Sequence, residues 1–486
     1  MNKSLFYSFL FFLGFSVSSF SQQKLTLKEV INLAQSQSLS AKKVINTFEN
    51  KFWRYNSYEK SFLPSVTFNG TLPNLNIGIS EITLQDGTSK FVRTSQINYS
   101  ASLLVNQPIK WTGGNVFVSS DLSRLDLLGT TPNTSYNASP FYIGYQQPIF
   151  KFNAFKWQSR IEPLVYEEAK KQSVEQKEEV SMEAVRLFFE VINKKSNYEV
   201  AKLNLANSDT LYKISKGRYN LGKIAENELL QIELTKLNAE KNLAQSELDV
   251  IISEQNLKNF LSIPSSEKLE LKITTNVPKF QVDIDKAVEL ANKNRSEIVS
   301  FKKSLLESKR DLDRVKKDNS FSADLFFSYG VTQTSPDIPG SYINPLDKES
   351  VNVGIKIPVF NWGLSKARIK QQKANSELIN IQIQQSKNNF ERDVFIQATQ
   401  FNLMKKQVEI AKKSMIVAKK RYFVSKQRFL IGKSDILTFN TALNERNQAI
   451  NSYYQTLRQY WVFYYRIRKL THFDFEHNLE LKSEKE

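Results

Sequence analysis

Ser215-Lys216-Gly217-Arg218-Tyr219-Asn220-Leu221-Gly222-Lys223 returns later in the chain as Ser425-Lys426-Gln427-Arg428-Phe429-Leu430-Ile431-Gly432-Lys433, at an offset of 210 residues (425 minus 215). The same offset superposes Pro148-Ile149-Phe150 on Pro358-Val359-Phe360. Upstream, Leu25, Leu27, Val30, Leu33 and Ala34 return as Val282, Ile284, Ala287, Leu290 and Ala291, now at an offset of 257 (282 minus 25). The difference places about 47 additional residues in the first copy, between Pro64 and Pro148. Self-similarity at fixed spacing decides the fold before any single motif does, and here it describes a duplication carrying one insertion.

Each copy reads helix, strands, long helix, turn, helix. No Pro occurs between Leu164 and Ile263 or after Pro358. Gly ends a helix by adopting a left-handed conformation, so Gly222 and Gly432 mark hairpin tips. Val408, Ala411, Met415, Ala418, Tyr422, Ser425 and Phe429 alternate three and four residues apart, and Tyr198, Ala201, Leu205, Ser208, Tyr212, Ser215 and Tyr219 repeat the pattern. That is the seam of a coiled coil, with small residues that let helices approach closely. The long helices, about 152–221 and 362–431, would each extend roughly 105 Å at 1.5 Å per residue. The short ones, about 27–62, 223–261, 283–318 and 433–470, reach roughly 55 Å each. Two short helices end to end therefore match one long one, with the break at Pro264–Pro278, and the molecule is a tall rod.

The strands alternate. Leu325, Phe327, Tyr329 and Val331 interleave with Asp324, Ser328, Gly330 and Thr332; Val351, Val353, Ile355 and Ile357 interleave with Asn352, Gly354 and Lys356; Tyr99, Ala101, Leu103 and Val105 interleave with Asn98, Ser100, Ser102 and Asn106. Any half-buried sheet shows period two, and a small sandwich capping a helical rod fits it. So does an outer-membrane barrel. Lipid cannot satisfy an open sheet edge. Two strands per copy make four per chain, too few to close a barrel, which starts at about eight. Several chains must then share one barrel.

Lys3, the apolar run Leu5–Leu13 and the Ser-rich stretch to Ser21 read as a secretory signal cleaved near Ser21–Gln22. Cys is absent, which excludes disulfides, thiolate nucleophiles and Cys-metal sites. The only two histidines, His472 and His477, lie in the polar tail. No catalytic, cofactor-binding or metal-binding residue is expected, and an enzyme is not indicated. The net charge of +18 is compatible with nucleic-acid or anionic-membrane binding. No dense Lys/Arg block or stacking motif accompanies it, so a solvated helical surface is the favoured reading, with no nucleic-acid partner.

These residues resemble the TolC family of outer-membrane efflux and secretion channels. The resemblance is carried by Leu25-Thr26-Leu27-Lys28-Glu29-Val30, Phe62-Leu63-Pro64-Ser65, the two Pro-x-Phe strand exits and the two tips, in that order and spacing. It implies a homotrimer with a 12-stranded barrel in the outer membrane, a long α-helical tunnel in the periplasm, and a mid-tunnel belt formed by the linker near 263–282 and the C-terminal tail. It also implies that Leu221, Gly222, Lys223, Ile431, Gly432 and Lys433 meet a periplasmic adaptor of an inner-membrane pump. Family channels narrow at this end through polar links and acidic rings. Glu228 retains an acid six residues past the first tip glycine, whereas Thr438 replaces it in the second copy; Phe429 and Thr441 also depart from the family pattern, and Asp435 is the remaining candidate for negative charge.

The chain then divides into a signal peptide (1–21) and a first helix (22–64), strands with an inserted hairpin (65–150), a long helix with tip and return helix (151–262) and a linker (263–282). The second copy supplies a helix (283–320), strands (321–360) and a long helix with tip and return helix (361–470), followed by a polar tail (471–486). Residues 98–109 and 115–122, around Trp111-Thr112-Gly113-Gly114, either add a hairpin to the barrel, giving six strands per chain and 18 per trimer, or decorate its outside. Decoration or partial pairing is the expectation, with Asp86-Gly87 a loop turn. The functional expectation is a passive exit duct for solutes or polypeptides. The rival readings are a soluble periplasmic coiled-coil adaptor or scaffold and, more remotely, a secreted basic nucleic-acid binder.

Overall fold

The computed structural model describes residues 24–83, 87–128, 132–273, 277–431, 433–434 and 436–483; the expected signal peptide, Asp86, Gly432 and Asp435 lie outside them. The chain opens with β1 (Lys24–Thr26), α1 (Leu27–Gln37) and α2 (Leu39–Lys60). Four strands follow, β2 (Ser65–Thr83), β3 (Ser89–Pro108), β4 (Asn115–Leu127) and β5 (Asn133–Ile149), then α3 (Ala154–Asn220), α4 (Glu226–Leu261) and β6 (Glu270–Lys272). The second half runs α5 (Ile284–Asn294), α6 (Ser296–Asp318), β7 (Ser322–Ser335), β8 (Leu346–Lys356), α7 (Leu364–Leu430) and α8 (Ile436–Thr471), closing with β9 (Phe473–Asp474) and β10 (Leu479–Glu480).

Helix lengths recur between the halves: 67 residues in α3 and in α7, 36 in α4 and in α8. At 1.5 Å per residue the long pair spans about 100 Å. Both halves begin with a capped short helix. Thr26 caps α1 in a capping box with Glu29, and the matching Asp283 caps α5 through Lys286 N. The short helices expected at 27–62 and 283–318 are each broken once, at Ser38 and at Arg295, where the backbone is extended. Each break frees backbone N–H groups that then find partners. Ser38 Oγ accepts from Ala41 N at 3.0 Å, and Glu175 Oε1 accepts from Ser296 N at 2.9 Å.

The core lies at mid-height. Val185, Phe188 and Val191 from the middle of α3, and Val394, Ala398 and Phe401 from the middle of α7, meet Val30 and Ala34 of α1, Ala287 and Ala291 of α5 and the ends of α4 and α8. Short elements ring this waist: β1 pairs parallel with β6, and β9 pairs with β10. The linker 263–282 and the tail therefore both contribute to it. Arg468 fastens the tail, with Nε donating to Glu178 Oε2 at 2.9 Å and Nη1 to Asp474.

The strands form one antiparallel sheet in the order β2-β3-β4-β5-β7-β8. This corrects the expectation that residues 98–109 and 115–122 decorate the outside or pair only partly. β3 pairs with β2 on one side, from Ser65↔Asn106 to Thr83↔Ser89, and with β4 on the other, from Gln96↔Leu127 to Pro108↔Asn115. The inserted strands are interior members of the sheet, and the count is six per chain. The sheet is open. β2 and β8 are its edges, and β8 is exposed along its whole length.

Candidate functional site

Cross-strand register assigns every side chain to a face, because directly opposed residues share one. One face collects Val66 and Phe68 of β2, Leu103 and Val105 of β3, Val116 and Val118 of β4, Ile143 and Tyr145 of β5, Leu325, Phe327 and Tyr329 of β7, and Val351, Val353 and Ile355 of β8. The other collects Ser65, Thr67 and Asn69, Ser102 and Asn106, Asn115 and Ser119, Gln146, Ser328, Asn352 and Ser350, with an aromatic patch of Phe117, Tyr142 and Phe326 set among them. Gly144 makes room for that patch: a Cβ there would meet the Phe117 ring at 2.2 Å. Among the described residues no second layer covers the apolar face; Val351 and Phe68 are 69% and 70% exposed.

Aromatic side chains crowd the helix-side rim of this sheet. Trp111 lies in the β3–β4 turn, Phe150 just after β5, and Phe360 and Trp362 after β8 with their rings 4.6 Å apart; all are exposed. A second row, Tyr99, Arg124 and Tyr136, crosses β3, β4 and β5 with the guanidinium over both rings. Arg124 stands nine residues along β4 from Asn115, roughly 23 Å in height for a strand tilted by about 40°.

At the opposite end, α3 closes in a Schellman turn. Gly222 adopts φ +69°, Lys223 N donates to Arg218 O at 2.9 Å, and Gly222 N donates to Tyr219 O at 2.8 Å. In the second hairpin Lys433 N donates to Arg428 O at 2.8 Å, the equivalent bond. Leu221, Lys223, Ile431 and Lys433 are exposed. Glu228 is exposed in the first turn of α4, where its charge suits the helix N-terminus. Thr438 and Thr441 are exposed on α8, and Thr441 Oγ1 donates to Leu437 O. Phe429 turns inward and stacks on Phe439, 5.4 Å between rings.

A polar link above the tips, between residues far apart in sequence, escaped the sequence reading. Asn207 of α3 donates from Nδ2 to Tyr422 Oη of α7 at 2.8 Å, and its Oδ1 accepts from Lys426 Nζ at 3.1 Å. Arg446 of α8, buried, lies over the Tyr422 ring at 4.1 Å and donates to Asn204 Oδ1 at 3.4 Å. Burial draws the Arg446 guanidinium below its usual value, and the Tyr422 hydroxyl opposes this. Leu211, Tyr422 and Phe439 pack beside the link. The two hairpins are thus joined by a small buried knot whose only sequence signal was Tyr422 on the coiled-coil seam.

In the lower half α3 packs against α4 and α8, and α8 packs against α7, leaving α4 and α7 outermost. Both outer helices carry an unpartnered apolar stripe. On α7 it is Ile396, Leu403, Ile410, Val417 and Val424, one residue in seven; on α4 it is Leu230, Leu234, Leu237, Leu248 and Ile251.

No protein-family profile and no curated sequence matches the chain. Solved structures do match its fold. The Campylobacter jejuni CmeC outer membrane channel superposes with a TM-score of 0.65 at 14% identity, over 94% of this chain and 86% of that one. VceC, the outer membrane protein from Vibrio cholerae, gives 0.62 at 11% identity, over 94% and 97%. The open state of the Neisseria gonorrhoeae MtrE outer membrane channel gives 0.54 at 14%, over 94% and 90%. The fold is that of the outer-membrane channels. Within that class it matches the TolC family.

Proposed function

We propose that the chain is an outer-membrane exit channel, a passive conduit from a periplasmic adaptor and inner-membrane pump to the exterior. The observation that carries this reading is an uncovered apolar sheet face, opposite a Ser/Thr/Asn-rich face, on a sheet with open edges. In water such a face is costly, about 25 cal/mol per Å²; against acyl chains it is at home. The aromatic rows at either end fit the girdles of a band about 25 Å tall. No helix among the described residues is long and apolar enough to cross a membrane, so spanning falls to the sheet.

Closure needs copies. β2 runs away from the helices and β8 returns toward them, so the two edges of neighbouring chains meet antiparallel, and six strands from each of three chains give 18. The helices support the same ring: the α7 stripe of one copy faces the α4 stripe of the next, a coiled-coil seam between chains. The equal helix lengths and paired tip turns support an internal duplication that gives the tunnel a quasi-sixfold wall. The exposed tip residues Leu221, Lys223, Ile431 and Lys433, apolar and basic, suit docking on an adaptor with apolar pockets and acidic rims.

Gating follows from the knot. Separating the hairpins at the tips breaks the Asn207–Tyr422 and Asn207–Lys426 bonds and uncovers Arg446, while the mid-height core keeps the upper bundle together. Opening is then a rotation of one hairpin against the other. Purified protein in planar bilayers tests the reading: a stable trimer with ion conductance supports it, and a monomer released from membranes by carbonate contradicts it.

A further inference from the structure

The chain that leaves β8 changes character in a fixed order. Val351, Val353 and Ile355 alternate along the strand, and Ile357 and Val359 carry the alternation past its end; all five are 58–89% exposed. Phe360 and Trp362 follow, 72% and 90% exposed. α7 then opens with Lys366, Arg368, Lys370 and Lys373, all exposed, and no Asp or Glu occurs between Glu349 and Glu377. Apolar, aromatic, basic is the order of a bilayer leaflet taken from its core outward: acyl chains, amphipathic boundary, charged headgroups.

These basic side chains lack a counter-charge within the chain: among the described residues no ion pair engages Lys366, Arg368, Lys370 or Lys373. The matching rim of the first copy, at the offset of 210, is satisfied from within. There Lys151 pairs with Asp324, Arg314 lies over the Phe152 ring at 4.6 Å, and Trp157 Nε1 donates to Asp313 at 2.9 Å. A neighbouring copy does not supply the charge either. In a shared barrel β8 meets the β2 of the next chain, which brings the end of that chain's α2 beside this stretch, and there Lys51, Arg54 and Lys60 outnumber Glu49 and Glu59. Lys366, Lys370 and Lys373 are four and three residues apart and share one face of α7. Lys370 is six residues from the helix start at Leu364, about 9 Å along its axis. That is close to the depth of one headgroup layer and within the roughly 10 Å over which a surface charge acts.

We propose that residues 357–373 anchor the channel on anionic phospholipid in the leaflet on the helix side. Lys366, Lys370 and Lys373 donate to headgroup phosphate, and Phe360 and Trp362 sit at the boundary with the acyl chains. The assignment rests on the shared-barrel reading and adds a lipid class to it. The apolar face suffices for entry into the acyl band. What the lysines add is a preference for a headgroup with net negative charge over a zwitterionic one, whose own cation already neutralises the phosphate. The same contact fixes the height of the helices relative to the membrane, and it gives part of the net charge of +18 a use.

The test offers phosphatidylglycerol and phosphatidylcholine in equal amounts to the full-length protein in neutral detergent and counts the lipids retained per trimer by native mass spectrometry. Phosphatidylglycerol is expected to be retained several-fold over phosphatidylcholine, and raised salt to lower the ratio. Lys366→Gln with Lys370→Gln and Lys373→Gln should bring the ratio close to one, and arginine at the same three positions should keep it. Lys406→Gln with Lys413→Gln and Lys420→Gln, an equal change of charge at exposed positions on lower α7, should leave it unaltered. A trimer that retains both lipids equally, or a ratio that falls as far with the lower triple variant, overturns the proposal and leaves the shared barrel standing. Absence of a trimer overturns both. Displacement of phosphatidylglycerol by inorganic phosphate at equal concentration assigns the lysines to the free anion and overturns the lipid.

Discussion

Asn207 and Tyr422, 215 residues apart in sequence, share a buried hydrogen bond of 2.8 Å that ties the first helical hairpin to the second just above the tips. A net hydrogen bond contributes about 0.5–1.5 kcal/mol, and a buried donor left without its acceptor costs about 1–3 kcal/mol. Tyr422→Phe keeps the ring against Phe439 and Arg446 while removing the acceptor. The expected outcome is an unchanged oligomer with a higher open probability in single-channel recordings. Lys426→Met should act in the same direction and more weakly, since Lys426 is only half-buried.

The waist should fail at Arg468. Its guanidinium is buried between Glu178 and Asp474, and although burial works against its charge, those two carboxylates hold it above its ordinary value. Breaking such a pair from one side costs about 3–5 kcal/mol. Arg468→Ala should lower the melting temperature and free residues 473–483 for protease.

Acid should loosen the same region. Burial alone would raise Glu175, but His472, Arg295 and Ser296 N–H hold it below 4.5; burial would likewise raise Asp474, but Arg468 and His477 hold it below 3.8. A depressed carboxylate contributes stability that is complete above its unfolded value and lost as pH falls through its folded value. Glu175 and Asp474 therefore contribute a loss of tail protection against protease that sets in below about pH 4, whereas Glu178, raised by burial against the pull of Arg468, acts in the opposite sense as pH falls through its own higher value.

The outer helix seam is open to a charge test. Val417→Glu or Ile410→Glu on α7, or Leu234→Glu on α4, puts a carboxylate into the expected intersubunit seam without entering the intrachain core. Sedimentation in detergent should show monomer for each, with the helical signal of circular dichroism retained.

Much of this was legible in the sequence because it is local or periodic. Gly222 and Gly432 punctuate long Pro-free tracts, so the long helices are found at 154–220 and 364–430 where about 152–221 and 362–431 were expected. Alternation from Val351 to Ile355 identified β8 before its register was known. β2 was harder. Gly70 and Pro73 interrupt its pattern, and its register shifts between Thr71 and Asn74, so its alternation changes phase and the insertion reads as ornament. The breaks at Ser38 and Arg295 are hidden in amphipathic helix, because what stabilises them, Glu175 in one case, comes from another helix. Phe429 was read from its position beside the tip, whereas its packing is set by Phe439, reached only once α8 folds back.

Cysteine scanning along β8 tests the central claim most directly. Single cysteines at 350 to 355 in the otherwise cysteine-free chain are exposed, in intact cells, to a membrane-impermeant maleimide. The account predicts labelling at Ser350, Asn352 and Gly354 and protection at Val351, Val353 and Ile355, a strict period of two with the apolar face against lipid. Uniform labelling, or protection that ignores the alternation, would contradict it.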